Sequence, residues 1–191
     1  MRLTCHLPRE DLPIIYVWIA LGVIAAVITV PVITGLLMPA RFVGQVKTVF
    51  HRPPEDVWLT LADFEKHPMT GKMMKSVAKL PDENGLAAWV EDMRHGEKIT
   101  VKTVETEPFT RVVREMSSAS VPLTSRWEYD LEPIDVGCRV TLSGETYIRP
   151  GNWIVPIFRF MMVVGGGVRK GLRIQMEMVA TSLGVEAEYE R

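Results

Sequence analysis

Twenty-nine consecutive residues of this chain, 12–40, carry no charge. The heart of the run is IIYVWIALGVIAAVITVPVITGLLM, from Ile14 to Met38. Built as an α-helix at ~1.5 Å per residue, it extends about 37 Å. The hydrocarbon core of a bilayer is about 30 Å thick, so the segment is long enough to cross it with some tilt. A signal peptide has a shorter apolar region, ~7–15 residues, and a small-x-small cleavage site. Here the run is preceded by Glu10 and Asp11 and ends at Met38-Pro39-Ala40, a poor site for cleavage. A buried core helix of this length would need a larger domain than the 151 residues that follow Ala40. The expectation is a single-pass membrane protein. A polar flank occupies 1–11, a transmembrane helix 12–40, a folded domain 41–185 and a short tail 186–191.

Details of the run fit that reading. Tyr16 and Trp18 lie near one end, where amphipathic rings sit at membrane interfaces. Pro31 lies inside it, a residue that membrane helices tolerate as a kink when neighbouring groups satisfy the freed carbonyl. The flanks carry Arg2 and Arg9 on one side and Arg41, Lys47 and Arg52 on the other. Two basic residues against three set no orientation, so the side of the membrane that holds the domain stays open.

Charge narrows the partners. The chain has 22 basic and 23 acidic residues, and 20 and 21 remain once Arg2, Arg9, Glu10 and Asp11 are set aside. A nearly neutral domain lacks the basic excess that nucleic acid binding needs, and it lacks a polybasic patch for anionic headgroups. Of the two cysteines, Cys5 is in the N-terminal flank and Cys138 in the domain, so the domain has no partner for an internal disulfide.

After the apolar run, RFVGQVKTVFH alternates as a strand. Pro53-Pro54-Glu55-Asp56 then gives helix-start signals, and Val57, Trp58 and Leu61 follow at helical spacing. A second short helix or loop is expected near FEKHPMTG. From Lys72 to Ile148 the pattern has period two, broken by turn signals at PDENG, RHGE, Glu107-Pro108 and Asp135-Val136-Gly137. Six consecutive short strands of this kind form an antiparallel meander, seven with the opening strand. NWIVPIFRFMMVV begins a helix, Gly165-Gly166-Gly167 interrupts it, and VRKGLRIQMEMVATSL resumes. Val168, Leu172, Met176, Val179 and Leu183 place one apolar face on that last piece, which must be buried against a curved sheet.

The order of strand, short helices, six-strand meander and long C-terminal helix resembles the START-like helix-grip superfamily, also called SRPBCC. That group includes the polyketide cyclase/dehydrase and lipid-transport families. The residues that carry the likeness are Pro53 to Trp58, Leu61-Ala62-Asp63-Phe64, Trp127-Glu128-Tyr129-Asp130-Leu131-Glu132-Pro133 and Gly137-Cys138-Arg139-Val140-Thr141-Leu142. The resemblance covers Arg41 to Leu183. It implies an α+β domain, with a seven-stranded curved antiparallel sheet wrapped around a long C-terminal helix. It further implies a hydrophobic cavity between them that takes lipids, sterols, polyketides or other apolar compounds. No catalytic signature is common to the superfamily. The membrane helix is a departure from the usual soluble form.

Chemistry-bearing motifs are sparse. His51, His67 and His95 have no second ligand at zinc-like spacing, and GxSxG is absent. No metal or cofactor is expected. Cys138 reads as a small structural residue. Gly165–Gly167 follows no strand and matches no phosphate loop, so it reads as a break in the last helix. The remaining signal is methionine. Met69, Met73, Met74, Met93, Met116, Met161, Met162, Met176 and Met178 all lie in the domain, and methionine adapts to irregular apolar partners.

Strand parity puts Trp127, Tyr129 and Leu131 on one face, opposite Arg126, Glu128 and Asp130. Trp89 and Met93 share a face with Glu91 between them. Glu91 is then either a hydrogen-bond acceptor inside an apolar pocket or a sign that the register differs there. The expected pocket comprises Trp89, Met93, Met116, Trp127, Tyr129, Leu131, Leu172 and Met176. Three readings follow: a membrane-anchored binding module for a lipid or other apolar small molecule, a cyclase/dehydrase-type enzyme using the same pocket, and an interaction module whose interior is filled by side chains.

Overall fold

The computed structural model describes residues 11–62, 74–118, 120, 122–151 and 153–190. The second short helix expected near 64–71, with His67, Met69 and Met73, falls outside them, as does the N-terminal flank with Cys5. The apolar run forms one helix, α1 (Asp11–Leu37), with Pro31 inside it. Its stretch Ile14–Leu37 has a mean hydropathy of 2.4 and is almost wholly exposed, so it is long and apolar enough to cross a membrane.

The domain then runs β1 (Arg41–Phe50), α2 (Pro54–Ala62), β2 (Met74–Glu83), β3 (Leu86–Met93), β4 (Lys98–Glu107), β5 (Arg111–Ser118), β6 (Leu123–Ile134), β7 (Gly137–Ile148), α3 (Val155–Val164), α4 (Gly167–Leu183) and β8 (Glu188–Tyr189). It is an α+β fold with one antiparallel sheet in the order β2-β3-β4-β5-β6-β7-β1-β8. Eight strands stand where seven were expected, because the C-terminal Glu188 and Tyr189 pair with Val49 and Thr48 on the free edge of β1. The first hairpin is also tighter than its sequence suggests. β2 continues through Pro81–Glu83 with a register shift, leaving the turn to Asn84 and Gly85.

α2 starts where prolines and acids place it. Pro54 occupies the first turn, where a missing N–H costs nothing, and Glu55 and Asp56 face the positive end of the helix dipole. Its Val57 and Leu61 are buried. α4 lies across β1 and β7, as its apolar stripe requires. Gly44 and Gly144 are opposite each other in those strands, and a Cβ on Gly144 would come within 2.7 Å of Leu172 Cδ2. The glycine pair therefore lets the helix settle onto the sheet. Leu172 and Met176 are fully buried there, in one cluster with Val46, Phe50, Val140 and Leu142. The convex face of the sheet carries charge instead: Arg111 pairs with Asp130 at 2.7 Å and Arg126 with Glu115 at 3.0 Å.

Strand direction decides what lies near α1. β1 begins four residues after the helix, and the Ile148 N–H at the end of β7 donates to the Ala40 carbonyl at 2.8 Å. In an antiparallel meander the starts of β2, β4 and β6 and the ends of β3, β5 and β7 all gather at that same edge. Met74, Met93, Ile99, Ser118 and Leu123 are therefore at the end of the sheet where the apolar helix joins.

Candidate ligand cavity

The core does not fill the concave face evenly. Beyond α4, toward β3–β6, a cavity of about 240 Å³ remains. Cross-strand register assembles its wall: Glu91 stands opposite Ile99, Val101 opposite Met116, Met116 opposite Ser125, and Arg114 opposite Trp127. Met74, Met93, Leu123, Tyr129 and, from α4, Gln175 and Met178 complete it. Four methionines among these residues give the wall side chains that can repack around different shapes. Two larger, more open grooves lie against outward-facing Lys102, Arg126 and Glu145, and the first of them shares Met116 and Ser125 with the cavity wall.

One part of the wall is polar. Arg114 is only 3 % exposed. Its guanidinium donates to the Leu61 carbonyl in the last turn of α2 and stacks 5.6 Å from the ring centres of both Trp89 and Tyr129. Burial lowers its pKa, and the nearby Tyr129 and Glu91 work against that. Glu91 lines the same space. Burial pushes its carboxyl up to about 7, although the positive charge of Arg114 pulls the other way. Tyr129 is fully buried and raised to about 12 by desolvation, with Arg114 and Gln175 interacting with its hydroxyl. The Ser125 and Thr146 hydroxyls share a hydrogen bond of 2.8 Å. The buried indole N–H of Trp127 has no acceptor among the described residues.

Of the eight residues expected to form a pocket, Met93, Met116, Trp127 and Tyr129 line the cavity. The other four do not, each for a packing reason. Trp89 lies on the right face but is buried beneath Arg114, packed on Val101. Leu131 sits farther along β6, in the main core with Val112 and Val140. Leu172 and Met176 point at β1 and β7, where the glycine pair draws α4 down, and the space opens beside the helix.

Glu91 does face the apolar interior, so the register there is the one that strand parity gave. Arg114 and Gln175 escaped the sequence reading, and both had a signal. Arg114 is two residues from Met116 and shares its face. Gln175 is three residues after Leu172 and four before Val179, on the buried face of α4.

The other singled-out residues take structural places. The His51 Nδ1–H donates to the Val136 carbonyl at 3.2 Å, and the ring pairs with Glu188. His95 is beside Glu97. Cys138 is buried in the main core, and burial raises its thiol to about 11. Among the described residues no group of three His, Cys, Asp or Glu is placed to hold a metal ion.

A family model described as polyketide cyclase / dehydrase and lipid transport matches residues 41–184. Among solved structures, the Zhui aromatase/cyclase from Streptomyces sp. R1128 superposes with a TM-score of 0.59 at 12% identity, covering 74% of this chain and 92% of that one. Norcoclaurine synthase from Thalictrum flavum gives 0.56 at 12% identity, covering 79% and 90%. A protein from Mesorhizobium loti gives 0.54 at 16% identity, covering 75% and 97%. A comparison with curated protein sequences found no match.

Proposed function

Since the chain belongs to the polyketide cyclase / dehydrase and lipid transport family, we propose that it is a membrane-anchored module that binds a lipid or other apolar small molecule in the cavity beside α4. The observation that carries this reading is the cavity itself: empty apolar volume, four methionines and a buried polar group at one wall. Its size limits the occupant. About 240 Å³ exceeds the ~150 Å³ known to hold a benzene ring, and falls below the ~300–1,000 Å³ typical of drug-sized ligands. One or two rings, or a length of one acyl chain, fits; a whole two-chain lipid does not. Arg114, Glu91, Tyr129 and Gln175 would recognise a polar substituent on that apolar body. Met74, Met93, Ile99 and Leu123 lie at the sheet edge nearest α1, which supports exchange of the ligand with the bilayer over a short path.

A second reading, a cyclase/dehydrase-type enzyme acting in the same pocket, is favoured by Glu91. A carboxyl near 7 beside an apolar substrate is suited to give or take a proton, and Arg114 and Tyr129 would stabilise charge on a substrate oxygen. The neighbour from Streptomyces is named an aromatase/cyclase, which adds the reaction class to consider.

The experiment is mass spectrometry of apolar compounds that co-purify with the detergent-extracted full chain. An enriched compound that Met178→Trp fails to retain supports binding. Conversion of that compound by the wild type, with Glu91→Gln retaining it unchanged, moves the conclusion to the enzyme. Equal recovery of every membrane lipid by wild type and Met178→Trp sinks both readings and leaves the filled interaction module.

A further inference from the structure

α3 is ten residues long, VPIFRFMMVV, and its one charged residue is Arg159. The domain buries only part of it. Met161 is 59 % exposed, Val164 69 % and, just before the helix, Trp153 80 %. Among the described residues outside α1, ten large hydrophobic residues are exposed, and Trp153, Met161, Val163 and Val164 are four of them. The other six are spread over β1, α2, two turns, β7 and α4, whereas these four lie on or just before one short helix, which calls for a partner.

Its position says which partner. α3 packs against α1, and among the described residues it is the main contact that helix makes with the domain. The approach is close: a Cβ on Gly35 would run into the Pro156 carbonyl. The Arg159 guanidinium donates to the Met38 carbonyl at the end of α1, at 3.3 Å. Leu36 and Leu37, in the same last turn of α1, are 63 % and 83 % exposed. The apolar surface of α1 therefore meets that of α3, with the half-buried Arg159 turned in to the Met38 carbonyl between them. Beyond α3, the chain turns through Gly165 and Gly166, and exposed Arg169 and Lys170 open α4. An apolar helix followed at once by cations is the arrangement of a segment lying at the hydrocarbon boundary, its charged neighbours among the headgroups.

We propose that α3, with Trp153, is a second membrane-seated element that lies in the bilayer interface beside α1 and fixes how the domain is held over the lipid. The proposal rests on the reading of α1 as a membrane-spanning helix. Its consequence is orientation: two apolar elements joined at Gly35 and Pro156 leave the domain less freedom to tumble than a single tether would. The sheet edge that carries Met93 and Leu123 is then held at a constant height over the membrane.

The test uses the full chain in lipid vesicles, with Cys5→Ser, Cys138→Ala and one added cysteine at a time labelled with an environment-sensitive fluorophore. The sites are Met161→Cys and Val164→Cys on α3, Val27→Cys inside α1, and Val43→Cys on the exposed outer face of β1. The expected result is a blue-shifted α3 signal, quenched by nitroxide-labelled lipid and protected from iodide, as at Val27, while Val43 shows the reverse. Iodide quenching of α3 with Val27 still protected overturns the proposal and leaves the anchor standing. Iodide quenching of both overturns both. Protection of α3 from iodide without quenching by nitroxide lipid means that a protein surface, such as a second copy, covers it, and this also overturns the proposal.

Discussion

Glu91 allows a quantitative test of whether the cavity is the water-poor space its wall suggests. Replacing it by glutamine keeps the shape and removes the charge. Its carboxyl is raised from 4.5 to about 7 in the folded domain, chiefly by burial. Below pH 4.5 it is protonated both folded and unfolded, and costs nothing. Between 4.5 and 7 the unfolded chain releases the proton while the folded chain holds it, so stability falls as pH rises. Above 7 both are ionised and the full cost is in place. A difference of about 2.5 pH units at ~1.36 kcal/mol each makes that cost about 3 kcal/mol. The groups facing Glu91 are Tyr129, raised to about 12, and Arg114, whose guanidinium is not deprotonated in proteins even where burial lowers its pKa.

The assay is urea unfolding of the detergent-solubilised chain from pH 4.5 to 8.5, wild type against Glu91→Gln. The pairing of the ionised carboxylate with Arg114 is already contained in the value of about 7, and any loss common to both protonation states adds an offset that does not depend on pH. The stability difference, variant minus wild type, should therefore climb by about 3 kcal/mol and level off near pH 7 to 8. A flat difference would mean that water reaches Glu91 freely, and that neither a proton-transfer role nor a polar recognition point inside apolar volume is justified.

Met178→Trp should lower binding of an anilinonaphthalene dye with little loss of stability, because Met178 borders empty space. Met176→Trp should instead destabilise by about 1–3 kcal/mol through overpacking, since Met176 is fully buried; equal effects of the two on dye binding would contradict the placement of the cavity. Trp127→Ala should cost less than the ~3–5 kcal/mol of a fully packed tryptophan, because the ring has empty volume along it; urea titration at pH 5 checks this, and a full cost would mean a filled interior. The full chain should stay with membranes through a sodium carbonate wash, since insertion of α1 is not screened by salt; release into the supernatant would end the anchor reading.

The fold was readable because each level of the chain repeats one instruction. The uncharged run has the length of a bilayer, the strands alternate with period two, and α4 carries its apolar residues at three- and four-residue spacing. The eighth strand was hidden because two residues, Glu188 and Tyr189, carry no periodicity; their pairing depends on the free edge of β1. The cavity was half readable for a similar reason. Parity tells which face of a strand is inward, so it put Met93, Met116, Trp127 and Tyr129 on the face that lines the cavity and left the place of Glu91 open. Parity does not tell where along the face the last helix lies. That is set by Gly44 and Gly144, which draw Leu172 and Met176 into the core and leave Gln175 and Met178 at the opening. Arg114 was passed over because a buried guanidinium runs against expectation, though its face was known from Met116.

The contrast between the two halves of one sheet is the strongest physical argument for a site. Over β1 and β7 the interior is closed by Val46, Phe50, Val140, Leu142, Leu172 and Met176, all apolar and nearly all inaccessible. Over β3–β6 the same chain retains empty volume and buries a carboxyl, a guanidinium and an amide against it. Desolvation moves each titratable member toward its neutral form: Glu91 and Tyr129 upward, Arg114 downward. Replacing such a group by a well-packed apolar cluster is often neutral or stabilising, so fold stability alone does not account for it. Arg114 also holds the Leu61 carbonyl, which is a structural use, yet that single contact needs neither Glu91 nor the void beside it. Local departures from good packing that stabilise nothing are the places where function is expected. This one lies at the end of the sheet that joins the apolar helix.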